Sequence, residues 1–165
     1  MLLFRSIEPS DHSLICRHRV AMFADGGKRA ESELAEMDKN FRQWLVPRLS
    51  DGTYFGFVAE DRKRAVAGIG LMELSWPPHP LHMKDDRRGY VLNMFVEPSH
   101  RRQGIARELM KQAEQAFNER GIRYAILHAT ADGRAVYEKF GWSATSEMGK
   151  ILSSRTSELM KFPHE

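Results

Sequence analysis

The stretch that decides the fold reads YVLNMFVEPSHRRQGIA over residues 90–106. Strand-forming residues dominate 89–96, and Glu97-Pro98 ends that strand because proline cannot donate to a sheet ladder. From 104 to 120 the apolar residues recur at the spacing of one helix face. The segment therefore predicts a strand, a short basic loop and a long helix.

The loop between this strand and helix has the features of an anion site. The first turn of a helix leaves backbone N–H groups without intrahelical partners, and the helix dipole adds positive potential there. Gly104 allows close approach of a ligand, Ala106 is small, and Arg101 and Arg102 add positive charge. These residues predict a bound phosphate or pyrophosphate; the alternative is an ordinary helix start. The spacings of the Walker loop and of the dinucleotide fingerprint are absent, which disfavours both classes.

The remaining pattern predicts one mixed α/β (α+β) domain over residues 1–165. Pro47 is expected to end or bend the second helix. Trp142 is expected to open a final antiparallel region, whose last strand begins at either Thr145–Met148 or Thr156–Leu159. The predicted strands are 2–7, 54–59, 65–74, 89–96 and 124–128, and the predicted helices are 14–25, 30–49, 104–120 and 134–140.

Composition excludes several classes of protein. The 165 residues carry 25 Lys+Arg against 22 Asp+Glu, a net charge of +3, without the clustered basic stripe of a nucleic-acid-binding protein. No apolar run approaches the ~18 residues that span a bilayer, and the N-terminus becomes charged too early for a signal peptide. The single Cys16 cannot form an internal disulfide. His79, His82 and Asp85-Asp86 match no metal-ligand spacing. We therefore expect a soluble, cytoplasmic protein that uses no metal and binds neither nucleic acid nor membrane.

The strand, basic loop and helix around residues 101–106 resemble the core motif of the GCN5-related N-acetyltransferase (GNAT) superfamily. The family's acetyl-CoA motif, Gln/Arg-x-x-Gly-x-Gly/Ala, is matched by RRQGIA at 101–106. The segment 127–142 is similar to the family's aliphatic strand, short helix and Tyr-x-Lys-x-Gly-Phe ending. Its tyrosine is Tyr137, a tryptophan replaces the final phenylalanine, and Thr130 or Asp132 stands near the family's loop asparagine.

The resemblance implies the acyl-CoA N-acyltransferase fold, a single mixed and mostly antiparallel sheet with helices on both faces. It implies acetyl-CoA as co-substrate, direct attack by a primary amine in a ternary complex, and allows a homodimer. The implied pantetheine contacts are main-chain groups of Met94 and Val96. The N–H of Met94 or Phe95, in the same cofactor-binding stretch, is implied to polarise the thioester carbonyl. The implied pyrophosphate contacts are Arg101 and Arg102 and the backbone N–H groups of Gln103, Gly104, Ile105 and Ala106.

The catalytic role of Tyr137 is assigned through the same resemblance, whereas the other candidates follow from their positions and chemistry. Tyr137 is implied to protonate the departing CoA thiolate; the alternative is a core aromatic side chain. For the base that deprotonates the amine, Glu73 is the first candidate and His128 the second, each with a purely structural alternative. His18 and Arg19 are candidates to meet the acceptor, unless they are merely solvated. The alternative function is a non-catalytic acyl-CoA-binding or regulatory module, against which Tyr137 argues because a pure binder needs no acid at the sulfur.

Overall fold

Five strands form one sheet in the computed structural model, which describes residues 1–27 and 29–150. The strands lie in sequence order, with three antiparallel ladders and a parallel one between the last two. This confirms the mixed, mostly antiparallel sheet. The strands are β1 (Leu2–Ser6), β2 (Tyr54–Asp61), β3 (Arg64–Ser75), β4 (Arg87–Val96) and β5 (Ala125–Leu127), and the helices are α1 (His12–Asp25), α2 (Glu31–Asp51), α3 (Ile105–Glu119) and α4 (Ala131–Glu138).

The chain divides into two compact units, one of residues 1–128 and one beginning at Ala129. The first unit holds the whole sheet with α1, α2 and α3, and the second holds α4. The single domain over 1–165 stays a prediction. Of the helices in the described ranges, none is both long and apolar enough to cross a bilayer.

Helices cover both faces of the sheet, as expected. Successive side chains of a strand point to opposite faces. The ring of Tyr54 meets Trp44 of α2 edge-on at 6.2 Å, whereas the next residue, Phe55, meets Phe117 of α3 at 6.1 Å. Helices α1 and α2 therefore cover one face and α3 the other. The core on the α1–α2 face is built from Ile15, Cys16, Phe41, Leu45, Leu49 and Tyr54.

Helix α2 continues through Pro47 and ends at Asp51. Of the two expectations for Pro47, that it would end the helix or bend it, the first was wrong. Proline removes one intrahelical hydrogen bond. Buried Leu45 and Leu49 lie on either side of it and pack against the sheet, and this burial outweighs one lost bond. The helix stops where Gly52 adopts a left-handed conformation with φ of 78°.

A β-bulge interrupts β4 at Asn93. In the ladder with β3, the single residue Ile69 lies opposite both Asn93 and Met94. Asn93 has a φ of 52°, a conformation that asparagine adopts more readily than most residues. On its other side, β4 pairs with β5 only over Gly89–Val91. Because bulges bend a strand and increase its twist, β4 turns away, and the edge at 92–96 has no strand partner among the described residues.

The end of the described chain differs from the expectation. Helix α4 begins three residues before the predicted 134–140, because Thr130 caps it by accepting a hydrogen bond from the Gly133 N–H at 3.2 Å. No strand occurs between 139 and 150, so the structure places none at Thr145–Met148. The other candidate, Thr156–Leu159, lies outside the described residues.

Candidate active site

The loop after β4 presents backbone N–H groups at the start of α3. Arg102 and Gly104 both have positive φ, 62° and 81°, within a tight turn that ends at the helix. The Gln103 side chain donates to the Ser99 carbonyl at 3.2 Å and braces this turn. The first bond of the helix runs from the Glu108 N–H to the Gly104 carbonyl at 3.1 Å. The N–H groups before Glu108 are left for another acceptor, which is the geometry of an anion-binding helix start.

The two arginines of this loop have different surroundings. Arg101 donates from Nε to the Val96 carbonyl at 3.0 Å and from Nη2 to Asp25 at the end of α1 at 2.6 Å. Its guanidinium therefore ties the loop to α1 and to the end of β4. Arg102 is exposed and makes no ion pair with any described residue. Arg102 thus has the side chain that is available to an anionic ligand.

Space around the loop also fits a ligand. A Cβ atom added to Gly104 would meet no protein atom within 4 Å. Ile105, by contrast, is only 2% exposed, so it offers main-chain groups alone. A ligand can therefore approach the backbone at Gly104 while the neighbouring side chain anchors α3 in the core.

A chain of polar side chains lies at the bulge, on the α1–α2 face. Arg19 donates from Nη1 to Asn93 Oδ1 at 2.6 Å, and Asn93 Nδ2 donates to the Tyr54 hydroxyl at 2.8 Å. Tyr54 is 2% exposed, and its burial raises the pKa of the phenol. Sequence reasoning missed Asn93 and Tyr54. The available signal was an asparagine inside a run of aliphatic and aromatic strand formers, where asparagine is disfavoured.

Tyr90 and His128 meet where β4 and β5 part. The last paired residues are Val91 and Leu127, and His128 follows directly. The Tyr90 hydroxyl lies 2.9 Å from His128 Nδ1. Tyr90 was not among the residues predicted from the sequence, whereas His128 was. The structure places this pair at the beginning of the free edge of β4.

Glu73, the other candidate base, lies in a different environment. Its carboxylate is bound by Arg87 at 2.6 Å and lies 3.7 Å from Arg120, just beyond the end of α3. In the ladder it pairs with Gly89, before the point where β4 and β5 separate. Glu73 is thus engaged in an ion-pair network at the start of β4, away from the bulge.

Tyr137 lies in the last turn of α4, in the second unit. Its carbonyl accepts hydrogen bonds from the N–H groups of Phe140 at 2.9 Å and Trp142 at 3.1 Å, which fix the end of the helix. One turn earlier, a Cβ atom at Gly133 would lie 3.4 Å from the Tyr137 ring, so the glycine leaves room for that ring. Burial raises the pKa of Tyr137. The phenol therefore keeps its proton throughout the neutral pH range.

The histidines that suggest a metal site have other partners. The rings of His79 and His82 stack at 5.6 Å, and His82 Nε2 accepts a hydrogen bond from Arg88 Nε at 2.8 Å. Arg88 in turn lies over the Trp76 ring at 4.2 Å. Within the described residues, no three His, Cys, Asp or Glu side chains are grouped to hold a metal ion.

His18 gives a testable pH dependence of stability. It packs against Phe95 at 5.0 Å, and its burial lowers its pKa to about 4, with a further lowering by Arg17 opposed by Glu97. An unfolded histidine titrates near ~6.5, so between these values the unfolded state binds the proton more tightly. The contribution of His18 to the free energy of unfolding is therefore fully present above about pH 6.5 and falls as the pH drops towards 4. Between pH 7 and pH 5 we expect a loss of about 2 kcal/mol.

The matched variant for this effect is His18→Gln, which does not titrate. Urea unfolding at pH 7 and pH 5 measures the change in free energy for both proteins. Between pH 7 and pH 5, we expect the free energy of unfolding to fall by about 2 kcal/mol less in the variant than in the wild type. The same pH dependence in both proteins would contradict a buried neutral His18.

Comparisons with known proteins agree with this geometry. The model of the Acetyltransferase (GNAT) family matches residues 16–142. The chain belongs to this family. A GCN5-related N-acetyltransferase from Ralstonia eutropha JMP134 is 51% identical to this GNAT protein, with a TM-score of 0.89 over 92% of this chain and 99% of that one. These findings confirm the family resemblance and the fold drawn from the sequence.

Two further relatives are more distant. A predicted acetyltransferase from Clostridium acetobutylicum, solved with acetyl-CoA, is 27% identical, with a TM-score of 0.83 over 92% of this chain and 96% of that chain. The N-alpha-acetyltransferase daf-31 of Caenorhabditis elegans is 30% identical over 80 residues, 48% of this chain and 41% of that protein. The chain spans less than half the length of the curated relatives it matches.

Proposed function

We propose that this GNAT protein transfers an acetyl group from acetyl-CoA to a primary amine. The observation that carries the proposal is the continuous path from the free edge of β4 at 92–96 to the N–H groups at the start of α3. An extended ligand adds to such an edge through its own amide groups, and an anion binds at such a helix start. CoA combines both features, since its pantetheine arm carries amides and is joined to a pyrophosphate.

Binding of acetyl-CoA follows from this path. The N–H groups from Gln103 to Ala106, with the free Arg102, hold the pyrophosphate, and Arg101 holds the loop in place. Main-chain groups of Met94 and Val96 pair with the pantetheine arm, where the Val96 carbonyl is shared with Arg101. The N–H of Met94 or Phe95 polarises the thioester carbonyl, because the bulge turns main-chain groups out of the ladder with β3.

The base in this proposal is His128. Its position beside Tyr90, where β4 and β5 part, lies next to the edge that receives the thioester. Glu73 has its carboxylate between Arg87 and Arg120, on the α3 side of the sheet. Both guanidinium groups hold this carboxylate in ion pairs away from the bulge. We therefore assign His128 as the base that takes the proton from the amine, directly or through one water.

The reaction then runs in one ternary complex. The deprotonated amine attacks the thioester carbon, and a tetrahedral oxyanion forms against the β4 N–H group. When the C–S bond breaks, the thiolate takes a proton from Tyr137, whose raised pKa keeps the phenol protonated beforehand. The nitrogen loses its second proton as the amide forms, and that proton restores the Tyr137 phenol through solvent. The products are an N-acetylated amine and CoA. The cytoplasmic location and the homodimer stay predictions.

An acceptor screen tests the proposal. Purified protein is mixed with acetyl-CoA and a panel of primary amines, and the free thiol of CoA is followed. We expect at least one amine to raise CoA release above the amine-free rate. Binding of acetyl-CoA without amine-dependent release in a broad panel would instead support the non-catalytic module.

The choice of base is tested by a matched pair of variants, His128→Gln and Glu73→Gln. His128→Gln should lower kcat/KM about 10–100-fold at pH 7, with recovery at higher pH because more of the amine is already deprotonated. Glu73→Gln should remain near the wild-type rate. A larger loss in Glu73→Gln than in His128→Gln would reverse the assignment.

A further inference from the structure

Arg19 is held beside the bulge by two aromatic rings. Its guanidinium carbon lies 4.5 Å from the centre of the Phe41 ring and 5.0 Å from that of Phe23. The hydrogen bond from Nη1 to Asn93 fixes the direction of the group. A long, flexible side chain is thereby fixed in one orientation, next to the edge of β4 that receives the thioester in the proposed function.

The positive charge of Arg19 has no counter-charge among the described residues. Its Nε is buried without a hydrogen-bond partner, and no described carboxylate lies within ion-pair distance. Burial lowers the pKa of Arg19, and the groups that oppose this lowering, Tyr54, Tyr90 and Cys16, include no carboxylate. Arg19 is half-buried, and partial burial of a guanidinium without a carboxylate partner is costly. The cost is relieved when a ligand supplies the missing negative charge.

We infer that Arg19 binds a carboxylate of the acceptor, so that the substrate is an amino-carboxylate with its amine near the thioester. This inference rests on the proposed function and names the substrate class for the same site. Nη2, which has no described partner, donates to the carboxylate, while Nη1 stays on Asn93. The aromatic rings of Phe23 and Phe41 exclude water and strengthen the ion pair.

A carboxylate fits this site better than a phosphate. No described carboxylate forms an ion pair with Arg19, and the neighbouring His18 is neutral above its pKa of about 4. One guanidinium balances a monoanion, whereas a phosphate monoester carries nearly two negative charges at neutral pH. The single positive charge of Arg19 therefore favours the carboxylate.

Product binding tests the inference without requiring turnover. The CoA-loaded protein is titrated with a panel of N-acetyl amino acids and, as matched controls, the corresponding N-acetyl amino acid amides, and Tm is followed. At least one free acid should raise Tm while its amide has a much smaller effect. Arg19→Met, which keeps the length and packs between aromatic rings, should remove that preference. Arg19→Lys should retain it with affinity lowered at least tenfold, since the charge remains without the planar fork.

The outcomes separate the two proposals. The Tm shift produced by CoA alone reports the fold and the cofactor site of each variant, and its absence in the wild type would refute the proposed function together with this inference. Two results would overturn the inference alone while the CoA shift is intact. In the first, no N-acetyl amino acid raises Tm more than its amide does. In the second, the preference for the acid survives in Arg19→Met. If Arg19→Met does not fold, an unchanged affinity for the acids in Arg19→Lys overturns it. A response to N-acetylated phosphoethanolamine and to no carboxylate would also overturn it.

Discussion

Gly104→Asp is expected to abolish acetyl-CoA binding. The new carboxylate would stand at the start of α3, in the open space that the proposed pyrophosphate enters. Two like charges about 4 Å apart repel by about 4 kcal/mol at an effective dielectric near 20. Even with screening by salt, we expect affinity to fall at least about 100-fold. Calorimetry, or the Tm shift produced by saturating acetyl-CoA, measures the loss.

Gly104→Asn is the matched control for the charge. Asparagine and aspartate are similar in size, and both tolerate the left-handed conformation that φ of 81° requires. The Asn variant should therefore fold equally well and retain most of the Tm shift. Equal affinities in the Asp and Asn variants would show that no anion binds at this helix start, and the site for the pyrophosphate would have to be sought elsewhere.

Tyr137→Phe should lower kcat by about 10–10³-fold and leave acetyl-CoA affinity nearly unchanged. The substitution removes one hydroxyl and keeps the ring beside Gly133 in α4. Without the phenol, water must protonate the thiolate. Because water can partly replace the phenol, the expected loss in kcat lies below the largest rate contributions of general acid catalysis. Because its pKa is raised by burial, Tyr137 should cause no decline in the wild-type kcat between pH 7 and pH 9.

Tyr124→Phe is the control for the loss of a hydroxyl. The Tyr124 ring stacks on His82 at 5.5 Å, and its carbonyl accepts from the Gly89 N–H, at the opposite end of β4 from the bulge. This variant should keep the wild-type kcat. A loss confined to KM in Tyr137→Phe would make Tyr137 a binding contact, and full activity would remove the general-acid role. If no amine acceptor is found, slow release of CoA to water provides the comparison.

The sequence located most of the elements because their patterns are local. The stripe of apolar residues in 104–120 and the strand formers of 89–96 each report which face is buried, without reference to the rest of the chain. The motif RRQGIA located the proposed anion site for the same reason, since a helix start is a property of a few consecutive residues. Pro47 does not end helix α2, as the local pattern allowed, because the cost of the proline is offset by packing of Leu45 and Leu49 against the sheet.

The sequence alone therefore determined the fold family, the loop at 101–106 and the candidates Tyr137, Glu73 and His128. Only the tertiary structure distinguished Arg101, which binds Asp25 and Val96, from Arg102, which forms no ion pair within the part of the chain that the structure describes. It also brought together Arg19 and Asn93, which are 74 residues apart along the chain. Such pairs depend on strand register and helix packing, which are fixed by the burial of the whole chain. No local pattern of residues encodes them.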